Sequence, residues 1–133
     1  MASVEDRRSR GFVTMRLRSF GHALRGLVRL TRETNARIHA LATVVVLWAG
    51  YFLQLAALEW ALIAFAIGLV LSAEALNTAV ESLADAAVPE PHPLVGAAKD
   101  LGAAAVLIAA LAAVAIAALV LGPHLVTLSR ELR

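Results

Sequence analysis

Apolar residues gather in three long runs, at about 38–58, 60–83 and 101–121. Each approaches the roughly 20 residues a helix needs to cross the hydrocarbon core of a bilayer, so the pattern predicts three transmembrane helices. Only a few residues around Glu59 separate the first two, which predicts a tight helical hairpin. Ahead of them Val13, Leu17, Phe20, Leu24 and Leu27 recur at spacings of four and three, while Arg18, Arg25, Arg29 and Arg32 gather on the opposite side. That period predicts a basic amphipathic helix over about 12–32. Such a helix either lies in the headgroup layer or packs on the protein's own core with its arginines solvated; the membrane hairpin that follows at once favours the first. Residues 1–11 are polar and read as a disordered tail, leaving 12–133 as one integral-membrane domain. The predicted class is an all-α membrane protein of three spans and a surface helix.

Composition agrees: 60% of the residues are apolar and the mean hydropathy is +0.77, above what an ordinary soluble domain carries. Charge adds an orientation. Arginines at 7, 8, 10, 16, 18, 25, 29, 32 and 37 precede the first span and Lys99 opens the third. The positive-inside rule therefore places the N-terminus and the loop between the second and third spans in the cytoplasm, against the smaller pull of Arg130 and Arg133. Trp48, Tyr51, Phe52 and Trp60 then fall at the outer headgroup level, where amphipathic rings are favoured. The basic inner face would attract anionic lipid, and no soluble module points to nucleic acid. The first apolar run has no cleavage pattern after it and is expected to be retained. Cysteine is absent, which excludes disulfides, thiolate metal sites and cysteine nucleophiles.

The second run ends against its own character. Glu74, Asn77, Glu81 and Asp85 fall within a stripe roughly 80° wide on a helix turning 100° per residue. Charged groups in a membrane segment normally face a bundle interior or a watery cleft and mark a site. Hydrogen bonding between helices of an oligomer would account for Asn77 alone, but three unpaired carboxylates would repel one another and resist burial, so a cation or basic partner is expected. Hard carboxylate oxygens suit Mg²⁺, which binds through one or two of them together with substrate phosphates. Glu81, joined by Glu33 if the first helix brings it near, could supply that pair. Glu74, about two turns or roughly 10 Å deeper, stands where burial would suit a general base.

Around this stripe the readings divide. Glu33 is either an exposed charge or a ligand, and His39 a hydrogen-bonded interfacial histidine. The proline-rich VPEPHP segment makes a short loop whose Glu90 and His92 are either solvated or turned toward a ligand. Lys99, the one lysine in the chain, is either a snorkelling anchor or a phosphate contact. Gly102, Ala105, Ala109, Ala113 and Ala117 permit close approach of helix backbones. No P-loop or Gly-rich kinase loop is present, so the residues alone lead to an acidic, metal-binding inner site. A non-catalytic oligomer and a cation pathway remain as other readings, although no polar residue continues the stripe toward Trp60.

The stretch EALNTAVESLAD, followed after a short loop by HPLVGAAKDLGAAAVLI, resembles the signature of the prokaryotic diacylglycerol kinase and undecaprenol kinase family, as does SFGHALRGL upstream. The resemblance covers roughly residues 19–121. It implies a homotrimeric helical bundle in the bacterial inner membrane that uses MgATP to phosphorylate a lipid hydroxyl. It also implies Glu74 as catalytic base with Asn77 beside the reacting groups, Glu33 and Glu81 as metal-binding glutamates, and Lys99 and Asp100 as nucleotide contacts. Glu90, His92 and His22 match positions near the nucleotide, with Gly26 and Asp85 in support. LNTA, HPL and His22 resemble the undecaprenol branch more than the diacylglycerol branch, which makes a polyprenol the expected acceptor and diacylglycerol the alternative.

Overall fold

A computed structural model describes the backbone of residues 4–132 and the side chains from Met15 to Leu132. Four helices follow in order: α1 (Val4–Leu30), α2 (Thr34–Phe52), α3 (Ala57–Ala87) and α4 (Pro93–Glu131). The described residues contain no strand. Two compact units divide the chain, Met1–Glu33 and Thr34–Arg133.

The first unit is α1 and its closing turn. The helix begins at Val4, ahead of the start at residue 12 that the apolar period suggested. Thr31, Arg32 and Glu33 end it with backbone bonds to the carbonyls of Leu27, Arg29 and Leu30. Leu17, Phe20, Leu24 and Leu27 are all exposed along it.

In the second unit α3 lies along α4, and α2 makes a smaller contact with both. Helices α3 and α4, of 31 and 39 residues, are about 46 and 58 Å long, against a hydrocarbon core of about 30 Å. Both are long and apolar enough to cross a membrane. The 19 residues of α2 do not pass the same test, because Thr34, Asn35, Arg37 and His39 occupy its first turns.

The expected first span, 38–58, is cut short at Phe52. Gln54 adopts the left-handed region at φ 53° and bonds back to the Tyr51 carbonyl, while the Leu55 N–H reaches the Gly50 carbonyl at 3.2 Å. This is a Schellman stop with glutamine where glycine is usual. Gly50 makes the fit possible: a Cβ there would stand 2.9 Å from both Leu55 Cδ1 and Trp60 Cη2. Leu55, Ile63 and Val120 form the buried cluster beneath the turn, with Trp60 against it. Trp48 and Phe52 stack at 5.4 Å between centroids at this end of α2.

Helix α3 then starts at Ala57, because Glu59 Oε2 accepts the Ala56 N–H at 2.7 Å and satisfies one of the orphan donors of the first turn. Its other oxygen meets His124 Nε2 at 2.9 Å, tying the start of α3 to α4 beyond Pro123. The sequence reading assigned no role to this pair. At the opposite end Val88–His92 carries the turn. His92 caps α4 by accepting the Leu94 N–H on Nδ1 at 3.3 Å, and Pro93 fills the first helical position, where its missing N–H costs nothing. Helix α4 therefore begins at Pro93, ahead of the apolar run expected from about 101, and Lys99 sits within its second turn.

Candidate active site

The buried residues of α3 are Ile63, Ala66, Val70, Glu74 and Asn77. Their spacings of three and four trace one seam, and the acid stripe is the continuation of the apolar one. Glu74 and Asn77 thus occupy packing positions of the α3/α4 pair, with only 2% and 6% of their surfaces exposed. On α4 the matching row passes through Val95, Lys99, Gly102, Val106 and Ala109, all buried or half-buried. Leucines on the outer faces, such as Leu76, Leu83, Leu101 and Leu107, are exposed, as residues facing lipid or another chain would be.

Polarity rises along the seam in step with exposure. Glu74 is the deepest charge. One turn on, Asn77 Nδ2 donates to Glu81 Oε1 at 2.9 Å; the carboxylate can only accept, so the amide must present its nitrogen there. Asn77 Oδ1 is then left buried with no hydrogen-bond partner among the described residues. Glu81 is exposed, and a further turn brings Asp85, whose carboxylate pairs with the Lys99 ammonium. A cleft of about 520 Å³ opens at this end, lined by Asp85, Glu90, His92, Gly96 and Lys99 among the prolines and valines of the turn. Four residues singled out in the sequence therefore meet on one concavity of a size suited to a small-molecule ligand.

Other expected positions are not among the residues lining this cleft. Asp100 is exposed and, one residue past Lys99, is turned by about 100° from it; it makes no hydrogen bond or ion pair among the described residues. His22, Gly26 and Glu33 lie in the first unit. There Arg25 Nη2 meets His22 Nδ1 at 2.9 Å, Gly26 is exposed, and Glu33 is half-buried. His39 is half-buried on α2 and lines an apolar groove with Thr43, Ile63 and Ala113. Among the described residues no three His, Cys, Asp or Glu gather as a ready metal cage. The exposed Glu81 carboxylate, one turn of α3 before Asp85 of the cleft, is still of the kind that shares a magnesium ion with phosphates.

Fold and site define a helical protein with two helices long and apolar enough to cross a membrane, which holds a carboxylate in a packed seam and opens that seam toward a charged cleft. Comparison supplies the family. The family described as prokaryotic diacylglycerol kinase matches residues 21–121. The chain is 40% identical over 109 residues to an undecaprenol kinase of Bacillus subtilis, covering 81% of this chain and 89% of the relative. It is 40% identical over 112 residues to a diacylglycerol kinase of Synechocystis, covering 83% and 64%, and 32% identical over 109 residues to a diacylglycerol kinase of Escherichia coli, covering 81% and 89%. The chain belongs to the prokaryotic diacylglycerol kinase family. It is a lipid kinase, with ATP as its co-substrate.

Proposed function

We propose that the chain phosphorylates undecaprenol, with Glu74 as general base and MgATP held at the cleft end of the seam. The observation that carries this is the gradient from a buried carboxylate, through the Asn77 to Glu81 hydrogen bond, to the cleft of Asp85, Glu90, His92 and Lys99. Phosphoryl transfer needs an aligned acceptor oxygen, charge neutralisation on the phosphates and little covalent chemistry from the protein. A lipid hydroxyl at headgroup depth would meet Glu74, which takes its proton. The cleft would receive the nucleotide, with Lys99 on its phosphates and Glu90 and His92 beside it, while Asp100 and His22 join as nucleotide contacts from elsewhere in the chain. Magnesium would be held by Glu81 and Glu33, supplying charge neutralisation on the transferred phosphoryl group. Gly26 and Asp85 act in support, Asp85 by holding the Lys99 ammonium.

In this reading α2 completes a three-span subunit, α1 lies on the cytoplasmic headgroups, and the active site faces the cytoplasm. A homotrimer, in which neighbouring copies and lipid together cover the exposed leucine faces, completes the reading. Diacylglycerol is the second acceptor, favoured by the names of the Synechocystis and Escherichia coli relatives. Transfer of labelled phosphate from ATP, measured side by side on the two lipids in detergent micelles, decides between them. Glu74→Gln is expected to remove transfer by about 10²- to 10⁴-fold, the usual share of general base catalysis, with no fall in the unfolding midpoint because the amide fills the same space. Full activity in that variant would refute the base assignment.

A further inference from the structure

Gly102 has no polar group, yet it occupies the place in the seam where the buried amide of Asn77 comes against α4. A Cβ built on Gly102 would overlap Asn77 Oδ1 and lie 3.4 Å from Asn77 Cγ and 3.7 Å from its Cα. The missing methyl is thus the notch that seats the amide oxygen. Because Glu81 Oε1 takes the amide nitrogen at 2.9 Å, the oxygen has no other side of the group to occupy. Both ends of the Asn77 amide are fixed: one by a hydrogen bond along α3, the other by the absence of a side chain on α4. Gly102 is also three residues from Lys99, so the same face of α4 carries the seat and the ammonium that pairs with Asp85.

We propose that Gly102 is a positioning residue of the phosphoryl-transfer site, acting through Asn77. A side chain at 102 displaces Oδ1, rotates the amide, and withdraws Nδ2 from Glu81. That leaves the Glu81 carboxylate free to turn at the moment its orientation toward the phosphates matters. The inference rests on the catalytic reading of Asn77 and Glu81 above, and it names a part of the site that carries no chemistry of its own. Its signature is a loss in turnover rather than in substrate affinity, since neither the cleft nor the lipid-facing surface is altered.

The test is a double-mutant cycle of Gly102→Ala and Asn77→Ala in detergent micelles, with labelled ATP and whichever lipid the side-by-side assay accepts. Gly68→Ala serves as the control, since a Cβ there meets nothing within 4 Å. Gly102→Ala is expected to lower kcat by about 10- to 100-fold, the scale of a displaced catalytic group, with KM values within about twofold. In the Asn77→Ala background, where the obstacle is gone, it should change kcat by less than about twofold. A second readout is the Asn77 side-chain amide resonance, which should move in Gly102→Ala and stay in Gly68→Ala. An unmoved resonance, equal losses in both backgrounds, or wild-type activity in Gly102→Ala would each overturn the assignment. Full activity in Asn77→Ala would instead overturn the catalytic reading beneath it. Should Gly102→Ala not fold, recovery of folding in the double variant supports the seat, and failure of both to fold refutes it.

Discussion

Gly50→Ala sets two opposing effects against each other at the α2–α3 turn. Alanine is the better helix former by about 1 kcal/mol, so on propensity alone the change would stabilise α2. Against this, the new methyl would meet Leu55 Cδ1 and Trp60 Cη2 at 2.9 Å and Trp60 Cζ2 at 3.2 Å. Carbon pairs rest near 3.5–4.0 Å, so the neighbours must give by roughly 0.7 Å. Neither is free to do so. Leu55 is buried with its N–H held by the Gly50 carbonyl, and Trp60 packs on the Leu55, Ile63 and Val120 cluster. Overpacking of this kind costs about 1–3 kcal/mol, which outweighs the propensity term and leaves a net loss of about 1 kcal/mol. Overlap is as unfavourable in lipid as in water, so the sign does not depend on the solvent. Gly68→Ala isolates the propensity term, because nothing approaches its Cβ within 4 Å. Unfolding by SDS titration in mixed micelles, followed by helicity, should place Gly50→Ala below the wild type and Gly68→Ala at or above it. A Gly50→Ala protein as stable as Gly68→Ala would refute the packing of this turn.

Two further predictions concern the cleft. His92→Ala removes the cap of α4 and should lower stability by about 0.5–1 kcal/mol, whereas His92→Asn restores a capping oxygen; if the ring also meets the nucleotide, the asparagine variant recovers the unfolding midpoint and keeps a raised KM for ATP. Lys99→Met should raise the KM for ATP about tenfold or more, yet change stability by less than about 1 kcal/mol, because its ion pair with Asp85 is partly solvated on one side and 70% exposed on the other.

Periodicity alone places Glu74, Asn77, Glu81 and Asp85 on one face, and the structure keeps them there. It also brings Glu90, His92 and Lys99, which the sequence leaves between solvent and a ligand, to one cleft with Asp85. What the pattern does not reveal is local and geometric. Only Gln54 interrupts the apolar run between Leu53 and Leu55, too little to mark the break at Phe52 by hydropathy. It depends on a glutamine at positive φ and on contacts of Gly50 with residues five and ten positions away. Helix α4 starts earlier than its apolar run because a histidine cap and a proline, both polar-loop signals in sequence, act here as the first turn. Glu59 and His124 lie 65 residues apart, beyond the reach of any local pattern, and Gly102 reads as one small residue among many until the opposite helix is in place.

The coincidence of the acid stripe with the packing seam carries a consequence for how such a site can be built. A carboxylate facing lipid would draw water or lose its charge; one in the seam is held by the same contacts that join α3 to α4. Glu74 and Asn77 continue the row that Ile63, Ala66 and Val70 fill elsewhere on the helix, so the seam gives up apolar packing where it gains the polar groups. Small residues on α4 offset that loss by letting the backbones close, and Gly102 is the extreme case, with Asn77 Cα only 3.7 Å from where a Cβ would be. The end that carries Leu55, Ile63 and Val120 has no polar group in its cluster and is reinforced by the Glu59 to His124 bond. Packing without polar groups is therefore concentrated at one end of the pair and chemistry at the other, and substitutions should sort accordingly: those near Gly50 move the unfolding midpoint with little effect on turnover, whereas those near Gly102 lower turnover.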